Sequence, residues 1–180
     1  MTSSATAVGA RRYVSPAGLF ALAWIIASLE GFDLAVYGVS VPALLKDPSL
    51  GIDPGAAGTI GSMVGFGMLI GAAFAGSVVH RTGPKKLIIW SIATFSVGML
   101  MSFFAPSALV WAISRFVVGL GLGVVLPTLN AYVADLAHPT KRNQMVASVM
   151  SGYAIGALAS PLLGSLLVPT GQFRWLYIIG

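Results

Sequence analysis

The chain has 180 residues, 57% of them hydrophobic and only 8% charged, with a net charge of +5 and no cysteine. A soluble domain carries about 25% charged residues, so this composition, with a mean hydropathy of +0.90, indicates an integral membrane chain. The lack of cysteine removes disulfides, thiol nucleophiles and sulfur-ligated metals, and the modest positive charge needs no nucleic-acid partner to explain it.

A spanning helix needs about 20 apolar residues, and the chain supplies five such runs and the start of a sixth. A cytoplasmic tail over 1–16, carrying Arg11 and Arg12, is followed by a first span at about 17–41. Arg11-Arg12 also invites a twin-arginine export reading, but Tyr-Val-Ser-Pro follows, and the apolar run is too long for a signal and contains two acids. Those acids are Glu30 and Asp33. A charge at mid-membrane costs about 3 kcal/mol, so such groups normally face a protein interior or an aqueous cavity and handle ions or protons. Three residues apart, they differ by about 60° around a helix and share one face, on which Tyr37 follows one turn later.

The second span, about 54–79, opens with Asp53 as N-cap and Pro54 in the first helical position. It carries the small-residue pairs Gly61/Gly65 and Gly67/Gly71. His80-Arg81-Thr82-Gly83-Pro84-Lys85-Lys86 turns the chain into the third span, about 85–105. Pro106 and Ser107 open the fourth, about 108–136, and His138-Pro139 separates it from the fifth, about 140–167. In the fifth span Ser148, Gly152, Gly156, Ser160 and Gly164 recur every fourth position, letting backbones approach closely where dispersion contacts drive association. Generic helix packing would account for such a ladder equally well. Pro127 and Pro161 can kink their helices and free carbonyls for a neighbour or a cavity. A last span, about 173–180, is expected to be incomplete at Gly180.

Cations fix the expected orientation. Arg11, Arg12, Arg81, Lys85, Lys86, Lys141 and Arg142 all map to one side, which the positive-inside rule makes the cytoplasm, so the N-terminus lies inside. The two histidines, His80 and His138, fall at cytoplasmic helix ends, where a solvated structural role is favoured over metal binding. With no Ser, His and acid able to converge, the chain is not read as an enzyme, and no metal or cofactor is expected.

Arg115 is the third intramembrane charge. Rising 1.5 Å per residue, the fourth span puts it roughly 10 Å below the outer face, and the first span brings Glu30 to about the same depth. Burial favours the neutral form of a carboxyl and a nearby cation favours the ionised form. Separating the two, or inserting an anionic substrate, would therefore change whether the acid holds a proton, which is the essence of a proton symporter. A static ion pair that fixes helix register is the competing reading.

Several segments resemble one family. Glu30-Gly-Phe-Asp33-Leu-Ala-Val-Tyr37-Gly38 is similar to the acid-Gly-aromatic-Asp signature in the first helix of the aromatic acid:proton symporters, a branch of the major facilitator superfamily. Gly76-Ser-Val-Val-His80-Arg81-Thr-Gly83-Pro84-Lys85-Lys86 resembles the superfamily's loop between helices two and three, Gly-x-x-x-Asp-Arg-x-Gly-Arg-Arg/Lys. Arg115-Phe-Val-Val-Gly119-Leu-Gly121-Leu-Gly123 resembles its fourth-helix pattern, and Asp135 with Arg142 matches the acid-x6-Arg spacing at the cytoplasmic end of that helix. His80 stands where the family usually has Asp, Pro84 where it has Arg, and Glu30 in place of the commoner Asp.

The resemblance implies an all-α membrane protein, the N-terminal six-helix half of a major facilitator fold, truncated within the sixth helix. It implies a proton-coupled importer of small aromatic carboxylates such as benzoate or hydroxybenzoate, in the inner membrane of a bacterium, with the proton as coupling ion. Glu30, Asp33 and Arg115 would serve substrate and proton coupling, with Tyr37 against the substrate ring. Gly76, His80, Arg81, Gly83, Lys85, Lys86, Asp135 and Arg142 would form a cytoplasmic gate. The expected partners are the organic acid, the lipid bilayer and a missing C-terminal six-helix half that supplies the facing wall of the site. A transporter of another organic acid or metabolite, an exporter, and a truncated membrane protein that does not transport are the alternatives.

Overall fold

A computed structural model describes residues 16–180, and all regular structure among them is helical. The order is α1 (Pro16–Lys46), α2 (Pro54–Thr82), α3 (Pro84–Phe104), α4 (Ala108–Leu136), α5 (Arg142–Leu167) and the short α6 (Leu176–Ile179). Single 3-10 turns at Pro139–Lys141 and Phe173–Trp175 lead into α5 and α6. Five helices are long and apolar enough to cross a membrane. Of the expected tail, Arg11 and Arg12 lie outside the described residues.

Local chemistry sets most boundaries. The Asp53 carboxylate accepts from the Ala56 N–H at 2.7 Å ahead of Pro54, satisfying one of the donors that a helix start leaves open. Ser107 does the same for Val110, more loosely, at 3.5 Å. Between α2 and α3 the chain reverses at Gly83, whose φ of 79° is a region that side chains rarely enter. The Gly83 N–H caps the Val79 carbonyl at 2.9 Å, and Pro84 starts the next helix. α1 differs from the sequence reading: it continues past Pro42 to Lys46 rather than stopping near 41. Proline removes one backbone donor without ending the helix here, because Leu44, two residues on, is fully buried and holds the segment to the core.

Glycines decide which helices touch. α1 pairs along its length with α5, while α4 runs between α2 and α3. A methyl group on Gly156 would strike the Ser28 carbonyl of α1, and one on Gly31 would strike the Tyr153 carbonyl of α5, so the two backbones lie in direct contact. The Gly119, Gly121, Gly123 run has a similar explanation. Residues two apart point to nearly opposite sides of a helix. Gly119 and Gly123 rest on the Val64 and Met68 carbonyls of α2, whereas Gly121 rests on Ser91 and Phe95 of α3. One short motif thus sinks α4 between two neighbours and carries Arg115, one turn before Gly119, into the middle of the bundle.

The outer surface is apolar. Leu69, Trp90, Leu109 and Leu162 are among many large hydrophobic side chains left exposed, as a helix bundle in lipid requires. At the end opposite the Arg81 and Lys85 turn, the Arg174 guanidinium donates to the Phe103 carbonyl at 2.8 Å, tying the α6 approach to the end of α3. Asp47 accepts from the backbone and hydroxyl of Ser49, contacts that hold its carboxyl below the usual range.

Candidate functional site

Glu30, Asp33 and Tyr37 occupy one inward face of α1, and each is buried, the two acids at 1% exposure. The intervening residues explain why the acids can sit there. Gly31 lets α5 press against α1 beside Glu30, and Phe32 fills the main apolar core. Gly180 closes on Asp33 from the far end of α6, with no room for a side chain between them.

Arg115 projects from α4 and has no exposed surface. Its guanidinium lies over two tyrosine rings, 5.7 Å from the centroid of Tyr37 and 5.5 Å from that of Tyr177. Such cation–π contacts are worth about 2 kcal/mol or more when desolvated. One terminal nitrogen, Nη2, approaches the Met99 sulfur at 3.5 Å. Among the described residues Nε and Nη1 have no hydrogen-bond partner, and neither do the carboxylate oxygens of Glu30 and Asp33.

The acids and the arginine are neighbours without forming an ion pair. Among the described residues the one ion pair is Asp135–Arg142, so the static Glu30–Arg115 bridge is not formed. Depth reckoning matched Arg115 to Glu30; the side chain of α1 that Arg115 packs on is Tyr37, two turns beyond Glu30 and one turn beyond Asp33 on the same face. Glu30, Asp33 and Tyr37 thus lead along one face of α1 to Arg115, with aromatic rings around the cation.

Tyr37 has two functions in this arrangement. Its ring supports the guanidinium, and its hydroxyl donates to the Ala57 carbonyl of α2 at 2.6 Å, linking α1 to α2. Trp111, Met99 and Tyr177 complete the surroundings of Arg115 and were not singled out from the sequence. Trp111 lies one turn from Arg115 on the same helix face and could have been found by its spacing. Tyr177 could not, because only the tertiary fold brings α6 to α4.

The expected gate residues gather at one end of the bundle. His80, Arg81, Lys85 and Lys86 are exposed around the Gly83 turn, and the Lys85 ammonium lies 6.0 Å from the Tyr132 ring of α4. Gly76 is exposed one turn earlier, with open space where a side chain would be. Arg142 at the start of α5 meets Asp135 at 3.1 Å across the α4–α5 connection, both side chains being more than half exposed.

Comparison with known proteins agrees with this architecture. Residues 23–180 match the model of the Major Facilitator Superfamily. The chain is 35% identical over 161 residues to the gentisate transporter of Corynebacterium glutamicum, covering 88% of this chain and 36% of that protein. It is 35% identical over 163 residues to the benzoate transport protein of Acinetobacter baylyi, covering 88% and 34%, respectively. With the gallate transporter of Pseudomonas putida it shares 28% over 162 residues, covering 90% and 36%. The chain thus spans about a third of the length of these relatives. A bundle in which α4 is wedged between α2 and α3 by its own glycines, with an arginine and two acids buried among the helices, belongs to the Major Facilitator Superfamily.

Proposed function

We propose that this chain supplies the N-terminal six-helix half of a proton-coupled importer of small aromatic carboxylates. The observation that carries the reading is the Arg115 guanidinium. Among the described residues it is fully buried, retains two nitrogens without hydrogen-bond partners, and forms no ion pair with Glu30 or Asp33. A guanidinium in that condition is suited to hydrogen-bond a carboxylate, and a two-pronged grip would add Nη2, whose present contact is the weak acceptor sulfur of Met99. The names of the relatives, carriers of gentisate, benzoate and gallate, support an aromatic ring on that carboxylate.

Charge balance then links substrate to proton. One buried cation can compensate one buried anion, and an uncompensated buried charge costs several kcal/mol. When the substrate carboxylate takes Arg115, the acid that had relied on it is best accommodated with a proton. Glu30 or Asp33 carries that proton, and the pair, three residues apart on one face, can pass it between them. Tyr37 offers its ring to the substrate as well as to Arg115, since its hydroxyl is engaged by Ala57.

The facing wall of the site belongs to a C-terminal six-helix half, with the substrate held between the halves near the midplane. Gly76, His80, Arg81, Gly83, Lys85, Lys86, Asp135 and Arg142 form the gate at the cytoplasmic end. Their cations support an orientation with that end, and the N-terminus, on the cytoplasmic side of a bacterial inner membrane. The proton is the coupling ion, and no cofactor takes part.

The test is uptake of labelled benzoate into proteoliposomes of the complete transporter, with protein-free vesicles subtracted. Protein-dependent accumulation that needs an inward proton gradient supports symport. Equal uptake with and without the gradient would leave a facilitator or an exporter.

A further inference from the structure

The indole of Trp111 has no exposed surface, and its Nε1–H finds no acceptor among the described residues. That nitrogen can only donate, and a buried donor left without an acceptor costs about 1–3 kcal/mol. Trp111 stands one turn from Arg115 on the same face of α4. Its ring meets Tyr177 edge-on, centroids 5.1 Å apart at 72°, and the same Tyr177 ring supports the guanidinium. The Tyr37 hydroxyl donates to Ala57, whereas the Tyr177 hydroxyl is buried without a hydrogen-bond partner among the described residues and can turn to donate or to accept. Trp111 Nε1 and Arg115 Nε and Nη1, which can only donate, are further unpaired buried groups around that aromatic ring.

We propose that Trp111 determines specificity at this site: its N–H receives an oxygen substituent on the ring of a substrate whose carboxylate is held by Arg115. The inference rests on the site's being that of an aromatic-acid carrier. A ring hydroxyl accepts a hydrogen bond from the indole, and a methyl group of similar size cannot. A site built to hydrogen-bond such a group rejects the analogue lacking it, because its own donor is then buried unpaired. Trp111 thereby discriminates among aromatic acids, whereas Arg115 recognises what they share.

The experiment is competition for labelled benzoate uptake in the complete transporter, using benzoates with either a hydroxyl or a methyl at each ring position. Wild type is expected to prefer hydroxyl over methyl by about tenfold at one position, seen in KM rather than kcat. Trp111→Phe keeps an aromatic ring but no donor, and should bring that ratio close to one whatever its overall rate. Retention of the wild-type ratio by Trp111→Phe would overturn the inference. So would a wild type that takes hydroxyl and methyl isosteres equally at every position, a result that does not depend on the variant's folding. Failure of the underlying reading looks different: wild type would take up none of the acids, which removes the inference with it.

Discussion

Arg115 and Tyr37 meet through a ring face: the guanidinium carbon lies 5.7 Å from the Tyr37 centroid, while the Tyr37 hydroxyl is anchored 2.6 Å from the Ala57 carbonyl. The cation on α4 is thus positioned by a side chain of α1 that is itself fastened to α2. Removing the anchor should loosen three helices at once. Tyr37→Phe keeps the ring and loses the bond, for an expected cost of about 1 kcal/mol, read as a lower midpoint of thermal unfolding in detergent. An unchanged midpoint would mean that the bond contributes nothing to holding α1 on α2.

Charge alone should not replace Arg115. Arg115→Lys keeps a cation but loses the planar fork and the broad ring contacts, so kcat/KM for benzoate in the complete transporter is expected to fall at least about tenfold. Near-wild-type uptake by the lysine variant would show that the guanidinium geometry is not used.

Much of this arrangement is legible in the sequence because the membrane makes its signals blunt. Long apolar runs, Asp53-Pro54 and the Gly83 turn mark helices and their ends through chemistry that acts within a few residues. Glu30, Asp33 and Arg115 are conspicuous since a bilayer penalises each of them. The first helix outruns its expected end near 41 because burial of Leu44 holds the segment beyond Pro42 to the core. The pairing of Arg115 is harder still. Axial rise gives depth but not rotation, so it brings Glu30 level with Arg115 without revealing that Tyr37 and Tyr177 are the side chains that stand against the cation. Those facts depend on how α1 and α6 are turned about their axes, which neighbouring helices decide.

Glycines in this chain are not equivalent, and the difference can be measured. Gly156 rests on the Ser28 backbone, and a side chain there must push α5 off α1. Gly156→Leu is therefore expected to abolish accumulation of folded protein in the membrane. Gly65 has open space where a side chain would be, and Gly65→Ala should be expressed at wild-type levels. If both variants accumulate alike, the α1–α5 contact is not close-packed in the membrane.

The Asp135–Arg142 pair is exposed, and exposed pairs contribute about 0–1 kcal/mol. Asp135→Asn should leave thermal stability within about 0.5 kcal/mol of wild type while slowing uptake, if the pair serves gating rather than folding. Exchanging the two residues, Asp135→Arg with Arg142→Asp, should restore part of the rate. Loss of stability with no change in turnover would make the pair structural.

The central claim is that the α1 acids carry the proton that accompanies the substrate. Its most direct measurement is the steady-state accumulation of labelled benzoate in proteoliposomes of the complete transporter, under an imposed inward proton gradient, for wild type, Glu30→Gln and Asp33→Asn. Wild type is predicted to concentrate the acid above protein-free vesicles, and at least one of the variants to do no better than those vesicles. Gradient-driven accumulation by both variants at the wild-type level would contradict the claim.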